Sequence, residues 1–147
     1  MKTLWQENAR REIIERLANL TPDSKPNWGK MNCGQMLAHV ADGLRMALGD
    51  LKTEPKKSFL RFRPVKYLII YRLPFPKSAP TAPELISREA ESIETEVFAI
   101  KGLIEQFAGH ETVVEWADHP AFGKLSNKDW GVLGYKHIDH HLKQFGV

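Results

Sequence analysis

The chain has 147 residues, 42% of them apolar and 27% charged, with a formal net charge of +3. That length suits one domain with a buried core, and so mild a charge dictates no partner. No apolar run approaches the ~18 residues of a membrane span, and MKTLWQENARREIIERL lacks a secretory apolar region. The single cysteine, Cys33, excludes an internal disulfide, so a protein of the reducing cytoplasm with no membrane partner is expected.

Residues 4–20 are predicted to form a first helix, capped by Thr3, with Ile13, Leu17 and Leu20 on its inner stripe. Thr21–Asn27 carries Pro22 and Pro26 and is a loop. Asn32 can cap a second helix over 33–49, with Met36, Val40, Gly43 and Ala47 on one face and Gly49 at its end. Pro55, Pro64, Pro74, Pro76 and Pro80 then forbid any long helix over 50–80. Within that stretch Val65–Arg72 is short and apolar, and is read as a helix because no other segment offers a strand partner.

This same region is basic. Lys52, Lys56, Lys57, Arg61, Arg63, Lys66, Arg72 and Lys77 face one acid, Glu54, a local net of +7 that leaves −4 for the rest of the chain. Phe59, Phe62, Tyr67, Tyr71 and Phe75 interleave with the cations, a mixture that can stack bases and neutralise phosphates. The reading favoured over nucleic-acid binding is a crossover whose aromatics pack on the bundle while its cations face water.

Thr81 with Glu84 has the pattern of a capping box, and Pro83 suits a first turn. Ile86, Ala90, Ile93, Val97, Ile100, Ile104 and Phe107 then alternate at intervals of about four and three, the seam of a helix bundle. Gly109 ends this third long helix, and 110–125 is an irregular crossing that contains His119 and Pro120. Ser126 and Asp129 form a second capping-box pattern and open the last helix. Four long amphipathic helices with a short extra helix in a long crossover predict an all-α four-helix bundle.

The last helix carries the chemistry. Trp130, Leu133, Gly134, Ile138, Leu142 and Phe145 recur with helical period, and His137 and His141 fall on the same stripe. At i, i+4 their rings leave one face about 6 Å apart, a spacing that lets two imidazoles share a metal ion. His140 is a rival partner for His137 but lies off the stripe. A third ligand is expected from a facing helix, and His39 on the second helix borders its inner face. Three neutral imidazoles would hold a divalent ion with coordination positions open, as catalytic sites do. Imidazole ligation suits Zn, Ni, Co or Fe.

Around this triad, Gln35 and Asp42 are candidates to orient the His39 ring, although exposed helix positions are the simpler reading for both. His119 is a candidate substrate donor whose simpler role is capping or packing. Cys33 sits at a helix start, where a thiol pKa falls, but no base neighbours it. Trp5, Trp28, Trp116 and Trp130 read as core or interface anchors.

WGKMNCGQMLAHVADGL (Trp28–Leu44) and HPAFGKLSNKDWGVLGYKHIDHHLKQFG (His119–Gly146) resemble the DinB/YfiT-like superfamily, and more narrowly its uncharacterised DUF1569 branch. The resemblance implies a four-helix bundle with a short fifth helix, often dimeric. It also implies a divalent metal held by one histidine of the second helix and a His-x-x-x-His pair of the last, which match His39, His137 and His141. Better-understood members include thiol-dependent transferases and a mycothiol-dependent isomerase, in which the metal activates a low-molecular-weight thiol. A metal-dependent transferase or hydrolase acting on small molecules is the function this implies. The alternative is a non-catalytic ion that staples the bundle or serves a stress-related protein.

Overall fold

A computed structural model describes residues 1–77, 81–112 and 115–147. The described residues form an all-helical bundle with no strand: α1 (Glu7–Leu17), α2 (Cys33–Leu48), α3 (Arg63–Tyr71), α4 (Ile93–Gly109) and α5 (Asn127–Gln144). Short 3₁₀ turns at Phe59–Arg61 and Pro83–Leu85 punctuate the two long connections. Among the described residues no helix is long and apolar enough to cross a membrane. Pro80, one of the predicted helix breakers, lies outside them.

Local signals set several boundaries. At α2 the Asn32 carboxamide accepts the Gln35 backbone N–H while the Gln35 side chain accepts the Asn32 backbone N–H. At α5 Ser126 and Asp129 do the same for each other, so both helix starts have their unpaired donors satisfied. Gly49 closes α2 at φ 88°, a left-handed conformation that favours glycine. The first helix is shorter than predicted. It starts at Glu7 after Gln6, and Leu4 instead packs fully buried as part of an N-terminal strap.

The largest departure is at α4. The predicted start at Thr81 is wrong: Ser92 caps the helix, accepting the Thr95 N–H, and residues 81–92 run as an irregular strap. Two partners outside the local sequence explain this. Glu84 accepts the backbone N–H of Glu54 across the crossover. Arg88 lies between two buried carboxylates, donating to Asp42 at 3.3 Å and to Glu96 at 2.9 Å. A continuous helix would carry Arg88 out of this position. The cost falls on the apolar seam, because Ile86 is 54% exposed while Leu85 turns inward.

The core is a continuous cluster that includes Ile13 and Leu17 of α1, Met36 and Val40 of α2, Ile100, Ile104 and Phe107 of α4, and Trp130, Ile138 and Leu142 of α5. The α2–α4 pair is packed most extensively, and α5 meets α1, α2 and α3. The predicted short helix exists as α3. Ile70 is its buried anchor, and Lys136 of α5 donates to the carbonyls of Ile69, Ile70 and Leu73, capping its C-terminus. Trp5 stacks on Phe107 with centroids 5.0 Å apart, and Trp116 and Trp130 join them.

The N-terminal strap crosses α5 at Gly131. Leu4 N–H donates to the Gly131 carbonyl at 3.0 Å, and a Cβ at Gly131 would meet Trp5 Nε1 at 2.0 Å. Gly102 on α4 has nothing within 4 Å of such an atom. Gly131→Ala is therefore expected to destabilise the fold by about 1–3 kcal/mol through overpacking. Gly102→Ala is expected to stabilise it by about 0.5–1 kcal/mol through helix propensity. Thermal melts of the two variants beside wild type check this; equal shifts would contradict the strap packing.

Candidate metal centre

Helices α2 and α5 bring His39, His137 and His141 together. Their ring centroids form a nearly equilateral triangle with sides of 4.9, 4.8 and 4.8 Å, and one nitrogen from each ring lies within 4.8 Å of the other two. The placement follows from the helical registers. His137 and His141 are one turn apart on the core stripe of α5, and His39 lies between buried Ala38 and Val40 on α2. Gly43, one turn on from His39, leaves room for the facing ring: a Cβ there would stand 3.1 Å from His137 Cε1.

The outer nitrogens fix the tautomers. His39 Nδ1–H donates to the Leu85 carbonyl at 3.1 Å, and His141 Nδ1–H donates to Gln144 Oε1 at 2.8 Å. Each bond leaves the Nε2 lone pair of that ring uncommitted. His39 Nε2 then accepts from His137 Nε2–H at 3.0 Å, and shifting that one proton to Nδ1 frees all three lone pairs. Two imidazole nitrogens on one tetrahedral ion stand roughly 3.3 Å apart when metal–N bonds are about 2.0–2.1 Å, so the His39–His137 pair is already at ligand spacing.

Electrostatics keep the rings neutral, the form a metal needs. Burial lowers the pKa of His39, opposed by the Leu85 carbonyl and the Asp42 carboxylate. Burial and then repulsion from His141 and His39 hold His137 well below the ordinary imidazole range. Burial, then repulsion from His39, brings His141 to about 3. The three histidines can thus hold a metal ion by proximity and by protonation state.

The neighbours expected to orient His39 do something else. Gln35 is spent on the α2 capping box. Asp42 is paired with Arg45 at 2.7 Å and with Arg88, and acts on His39 through its field alone. The orienting groups are the Leu85 carbonyl and Gln144. A backbone carbonyl leaves no mark in a sequence; Gln144, three residues after His141, was legible and was missed. Gln144 Nε2 also donates to the Trp28 carbonyl at 2.7 Å, directly under Gly29.

His140 is not part of the triad. Its ring faces Trp28 and Phe75, and it borders a cleft of about 770 Å³ shared with Arg16, Tyr71 and Lys136 that includes none of the three histidines. His119 takes its simpler role: Nδ1 accepts the N–H groups of Ala121 and Phe122 at 3.1 and 3.2 Å, and its ring packs on Phe122 and Trp130. Burial, then Lys66, brings its pKa to about 4. Cys33 is buried and its thiol pKa is pushed up, the reverse of an activated nucleophile.

Comparison with known proteins adds the family and nothing on activity. No curated protein and no solved structure matches the chain. The model of a family described as a protein of unknown function, DUF1569, matches residues 4–146, and the chain belongs to that family.

Proposed function

We propose that this protein is a DinB-like, metal-dependent transferase or hydrolase of small molecules, with His39, His137 and His141 as its metal ligands. The observation that carries the reading is the convergence of three neutral imidazoles from two helices, with His39 and His137 nitrogens 3.0 Å apart. When bound, a divalent ion would lower the pKa of a water or a small thiol toward neutrality, generating a nucleophile near pH 7. The chain's own contribution is to hold the rings. Leu85 and Gln144 fix the tautomers of His39 and His141, and Gly43 admits the His137 ring. Three imidazoles leave a tetrahedral ion one open position, where such a nucleophile would sit. A homodimer and a low-molecular-weight thiol as co-substrate fit the same proposal. The staple reading draws support from the depth of His39, 4% exposed in the core.

Elemental analysis of protein purified without chelator tests the ligand set. Stoichiometric divalent metal is expected in wild type and in His140→Ala, and none in His141→Ala; equal metal in wild type and His141→Ala would refute the assignment. Turnover of electrophile–thiol pairs that disappears in His141→Ala supports the enzyme. Metal-dependent melting with no turnover supports the staple.

Gln144→Ala removes the acceptor for His141 Nδ1–H. It is expected to weaken metal affinity by about 10–100-fold in chelator competition while leaving the stoichiometry intact. Unchanged affinity would show that Gln144 does not orient the ligand.

Acid stability follows from the shifted histidines. His39, His119, His137 and His141 all have folded pKa values below 6.5, so between the folded and unfolded values the unfolded chain binds more protons. Stability therefore rises with pH there: it is full above about 6.5 and falls on acidification. Chelator-treated protein should lose melting temperature steadily from about pH 6.5 to 4.5, before most carboxylates titrate. A flat profile in that window would contradict the buried neutral triad.

A further inference from the structure

We propose that the face built by residues 56–73 docks on anionic phospholipid bilayers, lying among the headgroups without spanning the membrane. The expected packing of the crossover's aromatics on the bundle holds only in part. Tyr71 and Phe75 pack against the core, but Phe59 is 76% exposed, Phe62 66% and Tyr67 49%. Leu68 and Leu73 are also nearly half exposed. The 3₁₀ turn Phe59–Arg61 leads directly into α3, which keeps these exposed side chains within one short stretch of chain, while Ile70 is the buried residue that anchors α3 in the core.

The charge around this apolar surface selects its partner. None of the eight cations from Lys52 to Lys77 forms a salt bridge with a carboxylate among the described residues. Three of them brace the segment through backbone carbonyls: Lys56 donates to Thr81, Arg61 to Pro120 and Lys66 to Lys124. The apolar tips therefore sit on a braced scaffold ringed by positive charge. Apolar wedges set in a cluster of lysine and arginine are the chemistry that binds acidic lipid surfaces.

Two other occupants fit less well. A two-fold contact with a second copy would bring this face, with six cations and no acid over 56–73, against itself, and like charges facing across an interface cost affinity. Single-stranded nucleic acid would use the cations and Phe59, Phe62 and Tyr67, but Leu68 and Leu73 cannot stack on bases, whereas leucine and phenylalanine both enter the acyl boundary. A cleft of about 520 Å³ beside the apolar tips is lined by Arg63, Lys66, Tyr67, Tyr71 and Lys124. Its one carboxylate, Asp129, accepts the Tyr71 hydroxyl at 2.6 Å. A lipid phosphate next to the wedges would find three cations there. The proposal replaces the sequence-based expectation of no membrane partner with a peripheral one, and it is independent of the metal reading.

Flotation of the full chain with vesicles tests it, comparing phosphatidylcholine alone with phosphatidylcholine containing phosphatidylglycerol. Retention is expected only on the anionic vesicles and should weaken as salt rises. Joint Phe59→Ser and Phe62→Ser is expected to cut the partition coefficient by about tenfold or more, with an unchanged melting temperature because both rings are exposed. Lys57→Glu with Arg63→Glu should do the same. No retention of wild type, or equal retention of wild type and the serine variant, would overturn the proposal. So would retention of a labelled single-stranded oligonucleotide without vesicle binding, or a dimer that the serine variant dissociates and that does not float.

Discussion

Keeping three imidazoles neutral inside a helix bundle is the constraint on which most of the irregular structure depends. A buried imidazole must either find a partner for each nitrogen or leave one aimed at a ligand. Here the Leu85 carbonyl and the Gln144 amide satisfy the outer nitrogens of His39 and His141. Neither partner would stay in place unaided. Leu85 ends the 3₁₀ turn of an irregular strap, and that strap is held by Arg88, which also donates toward the Ala38 carbonyl next to His39. Gln144 is held by the Trp28 carbonyl, and it reaches that carbonyl because position 29 is glycine. Gly29 has φ +84°, and a Cβ there would stand 2.5 Å from Gln144 Nε2.

The connection before α2 and the strap before α4 therefore both serve the triad from outside. The first supplies Trp28 and Gly29; the second supplies Leu85 and Arg88. The ion pairs of Arg88 illustrate the cost. Asp42 and Glu96 are 4% and 2% exposed, and buried carboxylates are tolerated only when paired and hydrogen-bonded. Glu96 meets that condition, accepting the Glu91 N–H as well as two guanidinium nitrogens of Arg88. In return the strap gains a fixed geometry that apolar packing alone, with Ile86 turned out to solvent, would not give it.

What could be read from the sequence divides along the same line. Helices whose signals are local were legible: the Ser126–Asp129 box, the Asn32 cap, Gly49, and the apolar period that placed His137 and His141 on the core stripe. The start of α4 was not legible. Thr81–Glu84 imitates a capping box, and the apolar alternation runs on through Ile86 and Ala90. The competing claims on Glu84 and Arg88 come from Glu54, Asp42 and Glu96, residues 8 to 46 positions away in the chain that local pattern cannot see. The histidine triad was legible because histidines on an apolar stripe are conspicuous. Of their supports, the Leu85 carbonyl was not, being a main-chain oxygen, whereas Gln144 stood in plain sight three residues after His141. The crossover was half legible: its cations face water as expected, but with α3 anchored mainly by Ile70, Tyr71 and Lys136, too little bundle surface remains to cover Phe59 and Phe62.

The triad also occupies a telling seam. Helix α2 packs far more extensively on α4 than on α5, yet its histidine looks toward α5, joining residues 98 positions apart in the chain. An ion there would cross-link two helices that otherwise meet only modestly, and closing so long a loop constrains the unfolded chain more than the folded one. Stapling and catalysis are thus not alternatives at the level of the ligands; the same three nitrogens would serve both. They part company over what reaches the ion. A pure staple closes its coordination with protein ligands, whereas a catalytic site keeps a position open. Three imidazoles leave one tetrahedral position unfilled, and among the described residues no fourth histidine, cysteine or carboxylate joins the group. An ion held here would have a place for a water or a small molecule, and that open position is the physical support for the catalytic reading.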